Sequence, residues 1–66
     1  MRITLNGQSR DIPDRLTIEG LLRHLDVRPE RVAVEVNEEI VRKARYAESP
    51  VNDGDRVEVV QYMGGG

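Results

Sequence analysis

The sequence contains no cysteine. Disulfides and thiolate catalysis are therefore excluded, and a chain this small without staples points to a reducing compartment. It has one histidine, His24, whereas a metal centre needs several convergent nitrogen, oxygen or sulfur ligands. No apolar run approaches the roughly 20 residues needed to span a membrane, and the opening MRITLNG lacks the apolar stretch of a signal peptide. Positive charge is not in excess. Ten basic residues face twelve acidic ones, for a net charge of −2, whereas a nucleic-acid footprint wants a clearly basic face. These absences predict a soluble cytoplasmic protein that engages neither membrane nor nucleic acid. The 66 residues make one domain, and a domain of this size buries only about 60% of the surface its unfolded chain exposes. That leaves little room for a deep catalytic cleft, and favours a binding module, a carrier or a modifier.

What is present is a series of short, well-punctuated elements. Met1, Ile3 and Leu5 alternate with Arg2, Thr4 and Asn6, the period of two of a half-buried strand. Asn6-Gly7 follows, a strong hairpin signal because both residues tolerate the positive φ of a type I′ turn. Gln8 to Ile12 forms the returning strand, polar and suited to an edge, and Pro13 ends it. Thr17 has the character of a helix N-cap, with Glu19 favoured in the first turn. Ile18, Leu21, Leu22 and Leu25 then fall on one apolar stripe. Gly20 interrupts this helix at a cost of about 1 kcal/mol relative to alanine, and a close approach to the sheet would account for it. Asp26 to Arg31, with Pro29, leads out of the helix. Val32, Val34 and Val36 alternate with Ala33, Glu35 and Asn37 in a third strand, Asn37-Glu38-Glu39 is a tight turn, and Ile40-Val41 begins a fourth strand. Arg42 to Ser49 has no clear period and reads as irregular or as a single helical turn. PVNDGD, residues 50–55, is dense in turn formers, and Arg56 to Met63 is the last strand. One amphipathic helix needs a sheet to cover it, so this order predicts an α+β two-layer domain, a ubiquitin-like β-grasp with a mixed sheet of about 4–5 strands on one main helix. A ferredoxin-like fold would need a second helix, which Arg42–Ser49 is too short and polar to supply.

The side chains offer no catalyst. His24 lies off the apolar stripe, as a solvated helix residue would. Asp53 and Asp55 in NDGD suggest a calcium loop only faintly, because the remaining ligands and the bidentate glutamate are missing; a turn with Gly54 at positive φ is the better account. Gly7, Gly20 and Gly54 are isolated from one another and form no phosphate cradle. Ser9 and Ser49 have no histidine partner.

The unusual group is the end of the main chain. The sequence finishes VVQYMGGG. Residues 1–63 are expected to form the domain and residues 64–66 a flexible tail. Without Cβ atoms, Gly64-Gly65-Gly66 is slim enough to thread a narrow tunnel and can take backbone angles closed to other residues. A carboxylate is inert toward nucleophiles because it is anionic and has no leaving group; coupling it to AMP supplies one. A frayed terminus would give the same composition, but the strand leading into the tail favours a role. If Val57 and Val59 face the helix, Val60 and Tyr62 lie on the opposite side beside the tail, and with Met63 they make a candidate docking patch.

The whole chain resembles the ThiS family of sulfur carriers, through ITLNG at the start, VAVEVNEEIV in the middle, DGDRVEVV near the end and the terminal GGG. The resemblance implies the β-grasp fold and a carrier that is not itself an enzyme. It implies that a ThiF-like enzyme adenylates Gly66 with ATP and Mg²⁺, that sulfur from a persulfide enzyme replaces AMP, and that the thiocarboxylate goes to a ThiG-like thiazole synthase for thiamin. The carrier itself would bind no cofactor or metal and would be a monomer when free. Gly65 completes the terminal Gly-Gly pair and Gly64 precedes it. Tyr46 stands where relatives often have tryptophan, Glu38 where glycine is frequent after the asparagine, and Tyr62-Met63 is bulkier than the family's usual small apolar residues. The alternatives are a MoaD-like carrier serving molybdopterin or another sulfur metabolite, a ubiquitin-like modifier joined to lysines through Gly66, and an interaction module with an idle tail.

Overall fold

The computed structural model of the protein describes residues 1–62, so that Met63, Gly64, Gly65 and Gly66 lie outside the described residues. Five strands form one sheet: β1 (Arg2–Leu5), β2 (Gln8–Asp11), β3 (Val32–Val36), β4 (Glu39–Val41) and β5 (Arg56–Gln61), in the order β2-β1-β5-β3-β4. β1 and β5 pair in parallel, and the other neighbours are antiparallel. Among the described residues one α-helix, α1 (Ile18–His24), covers one face. This is the mixed-sheet β-grasp that the sequence order predicts.

Both hairpins turn where the asparagines stand. Asn6 and Gly7 have φ of 49° and 82°, and Asn37 and Glu38 have 52° and 71°, the primed geometry that matches the twist of paired strands. Glu38 is the costly member, since a side chain in the left-handed region loses about 1–2 kcal/mol. Each asparagine side chain also reaches β5. Asn37 Oδ1 accepts from the Arg56 N–H at 2.9 Å while its Nδ2 donates to Asp55 Oδ1 at 3.0 Å. Asp55, nearly buried, accepts a further bond from the Asn52 N–H at 2.8 Å. NDGD is thus a turn, with Gly54 at φ 87°, and its last carboxylate is a structural acceptor.

The core gathers Ile3, Leu5, Ile12, Ile18, Leu21, Leu22, Val32, Val34, Tyr46, Val51 and Val57. Thr17 caps the helix as expected, its Oγ1 accepting from the Gly20 N–H at 3.1 Å. Leu25 ends the helix and is only partly buried, because Asp26 turns left-handed at φ 59° immediately after it. The stretch without a clear period, Arg42–Ser49, contains a 3₁₀ turn at Lys43–Arg45, and a second 3₁₀ turn, Pro29–Arg31, precedes β3. Tertiary bonds shape the longer stretch. Tyr46 is buried and its hydroxyl donates to Val32 O at 3.2 Å. The N–H groups of Ile18 and Glu19 donate to Ser49 O and Tyr46 O, each at 2.9 Å, which satisfies donors that a helix start leaves free.

Three expectations are corrected. Gly20 does not mark a close approach to the sheet: a Cβ there would lie 3.2 Å from Leu16 Cδ2, in the segment entering the helix. β4 begins one residue early, at Glu39, because the two-residue turn leaves Glu39 opposite Val36. β5 ends at Gln61, where its partner Val32 begins β3, and not at Met63.

Candidate functional site

β5 sits in the middle of the sheet, so the chain runs toward its glycines directly from the best-supported strand. Val57 is fully buried and Val59 partly buried against the core. Arg56, Glu58 and Val60 take the opposite face. On that outer face Val60 is 60% exposed and lies across from Ala33, while Glu58 lies across from Glu35, which in turn faces Ile40 of β4. Ile40 is 76% exposed. The sheet therefore presents Val60, Ala33 and Ile40 to solvent as an interrupted apolar strip. Val60 was expected there; Ile40 was not. A three-residue strand is too short for its alternation to declare a face, and only the register with Glu35 reveals it.

Tyr62 is 52% exposed and does not close the core. Its N–H donates to Arg31 O at 2.9 Å, one step beyond the β3–β5 ladder. The ammonium of Lys43 lies 4.6 Å from the centre of the Tyr62 ring and donates to Glu30 O at 2.9 Å. Both 3₁₀ turns thus meet the chain where it leaves the sheet. On the other side, β1 stops before β5 does, and Asn6 extends it. Asn6 Oδ1 accepts from the Val59 N–H at 2.8 Å, Nδ2 donates to Val59 O at 3.3 Å, and the Asn6 N–H donates to Val57 O at 2.9 Å. Met63 and Gly64, Gly65 and Gly66, the other expected site residues, lie outside the described residues.

The chemistry elsewhere is spare. His24 is exposed at the end of α1, and no group of three histidine, cysteine, aspartate or glutamate residues could hold a metal among the described residues. No helix among them is long and apolar enough to cross a membrane. A hollow of about 310 Å³ beside β5 is lined by Leu5, Leu25, Val27, Val32 and Val59, with Arg10 its one charged group. It holds no acid–base pair. Burial pushes the Tyr46 hydroxyl above its ordinary pKa of 10.0, with the nearby Tyr62 adding to the effect. The exposed Arg2–Asp11 pair, joined at 2.9 and 3.0 Å, holds Asp11 below and Arg2 above their usual values.

A sequence model of the ThiS family matches residues 3–66, which is nearly the whole chain and includes the three glycines. The chain belongs to the ThiS family. It is 42% identical over 67 residues to the sulfur carrier protein ThiS of Bacillus subtilis, covering 97% of this chain and 98% of that one. The crystal structure of the thiamine biosynthesis protein ThiS of Geobacter metallireducens superposes with a TM-score of 0.87 at 36% identity, with all of both chains covered. A thiazole synthase of Paramagnetospirillum magneticum is 47% identical over 66 residues, all of this chain but 20% of that protein. The chain thus spans about a fifth of the length of that thiazole synthase.

Proposed function

We propose that this chain is a sulfur carrier that serves thiazole formation in thiamin biosynthesis, with Gly66 as the group that is modified. The family match that runs through Gly66 carries the reading. In it the Gly66 carboxylate attacks the α-phosphorus of ATP and expels pyrophosphate, on a ThiF-like enzyme that supplies the Mg²⁺. The terminal sulfur of a persulfide then attacks the acyl carbon and releases AMP. A thiol cleaves the resulting acyl disulfide, leaving the thiocarboxylate and a mixed disulfide. A ThiG-like synthase consumes the thiocarboxylate. The likeness to a protein named thiazole synthase supports that last partner. The carrier is a co-substrate and not an enzyme, and it works in the cytoplasm beside these partners. Its outer strip, Val60 with Ile40, and Tyr62 at its end, serve as the handle by which the activating enzyme grips it, and Met63 joins them.

The test is the intact mass after incubation with ATP, a ThiF-like enzyme and a sulfur source. Replacing oxygen by sulfur adds nearly the mass of a methionine sulfoxide, so the change is localised by fragmentation or trapped with a thiol-selective alkylator. The chain's lack of cysteine makes that trap specific. A label on Gly66 supports the reading. Amide-linked conjugates would make the chain a protein modifier, transfer to a pterin would make it a MoaD-like carrier, and an unmodified tail with a competent enzyme refutes activation altogether.

A further inference from the structure

Lys43 is the single lysine of the chain. Although exposed, it lies along the surface of the domain and makes contacts there. Its ammonium donates to Glu30 O at 2.9 Å and lies 4.6 Å from the centre of the Tyr62 ring. The Tyr62 N–H donates to Arg31 O at 2.9 Å. Glu30 and Arg31 belong to one 3₁₀ turn and Lys43 to the other. The latter turn is held from within by Tyr46, its capping residue, whose buried hydroxyl donates to Val32 O at 3.2 Å. Tyr62 is therefore gripped twice. Its backbone is tied to Arg31, and its ring is held by a cation that is itself fixed to the neighbouring carbonyl. A cation over a ring face is attracted by the ring quadrupole, and the hydrogen bond to Glu30 O is a second hold on this exposed side chain.

We infer that Lys43 is a positioning residue: through the Tyr62 ring it fixes the direction in which the chain leaves the sheet, just ahead of the residues on which the activating enzyme would act. Among the described residues, Tyr62 has no strand partner on the β1 side, since β1 stops at Leu5, in register with Val57, and Asn6 reaches only as far as Val59. The Arg31 bond and the Lys43 contact are the holds on Tyr62 that follow. A domain docked by its outer strip would still have to place Gly66 at a nucleotide, and an exit direction set in advance reduces the freedom lost in doing so. The role in a reaction rests on the sulfur-carrier reading above; the clamp itself does not.

The experiment has two arms on the full chain. In NMR, the one lysine gives one set of side-chain signals. The Tyr62 ring current should shift the Lys43 εCH₂ protons upfield, and Tyr62→Leu should return them to the free-lysine position. In Lys43→Ala the Tyr62 amide should exchange faster by about two- to fivefold, the scale of an exposed cation–π contact, and Lys43→Arg should restore the slow exchange because a guanidinium can also stack on the ring. In the kinetic arm, adenylation by a ThiF-like enzyme should lose kcat in Lys43→Ala by the same factor of about two to five, with KM for the carrier unchanged and Lys43→Arg close to the parent. An unshifted lysine signal in the parent, or equal Tyr62 exchange in parent and Lys43→Ala, overturns the clamp. A raised KM at constant kcat overturns the positioning role and makes Lys43 a docking contact. If the parent is not adenylated by an enzyme competent on another carrier, the sulfur-carrier reading fails, and the clamp stands or falls on the NMR arm alone.

Discussion

Replacing Asn6 tests how much of β5 depends on one side chain. Its amide makes two bonds to Val59, 2.8 Å to the N–H and 3.3 Å to the carbonyl, and its own backbone sits at φ 49°. The two contributions separate by choice of residue. Asn6→Gly removes the bonds but accepts the backbone angle, and because Val59 is only partly buried its freed groups recover some hydration. The expected loss is about 1–2 kcal/mol, two bonds at the lower end of the usual net value. Asn6→Ala loses the same bonds and adds left-handed strain of about 1 kcal/mol, for a total of about 2–3 kcal/mol. A domain of this length has roughly 3–10 kcal/mol of stability in all, so the alanine variant removes a large part of it. Urea unfolding gives the totals, and hydrogen exchange at the Val59 amide reports the local effect, which should appear in both variants. Equal stabilities for Asn6→Gly and Asn6→Ala would refute the strain argument. An unchanged Val59 amide in Asn6→Gly would refute the bonding argument.

Glu38→Gly should stabilise the domain by about 0.5–1 kcal/mol, because it relieves φ 71° and loses only an exposed 3.9 Å contact with Arg56; a lower unfolding midpoint would contradict this. Ile40→Thr and Val60→Thr should each weaken binding to the activating enzyme by several-fold or more, as loss of central apolar contacts does, while thermal stability stays nearly constant because both side chains are exposed and threonine suits a strand; calorimetric titration showing parent affinity would move the handle elsewhere. Tyr46→Phe should cost about 1 kcal/mol for the bond to Val32 O. Because the folded Tyr46 has the raised pKa, its contribution is complete below about pH 10 and is lost as pH rises through the folded value. The parent should therefore lose stability at alkaline pH more steeply than Tyr46→Phe, and parallel unfolding curves across that window would count against the buried phenol.

Much of the fold was legible because it is written in local signals. Asn6-Gly7 carries its own turn geometry, Asn37 marks the second turn although Glu38 is strained there, Thr17 carries its cap, and the valines of β3 and β5 their alternation. The expected exposure of Val60 followed from that alternation alone. Arg42–Ser49 was not legible, because its shape is imposed from outside: Tyr46 drops into the core and the start of α1 borrows its carbonyls. Ile40 was missed for a related reason, since a strand of three residues shows its face only through its partner. Gly20 was assigned the wrong neighbour because the helix period gives no information about the chain that enters it. Lys43 has no signal in the sequence at all; its partners are a carbonyl and a ring that only the packed chain brings together.

Of the five described strands, the one latest in the chain lies at the centre of the sheet. β5 occupies residues 56–61, and both β1 and β3 need it as a neighbour. A growing chain can close its first hairpin early, but it cannot join the two halves of the sheet until β5 has left the ribosome, and such long-range pairing is slow to form. A copy cut short before β5 has no way to bury its valines and is exposed to proteolysis. Folding of the described domain therefore waits on residues 56–61: the two halves of the sheet close into one only after nearly all of that domain has been made.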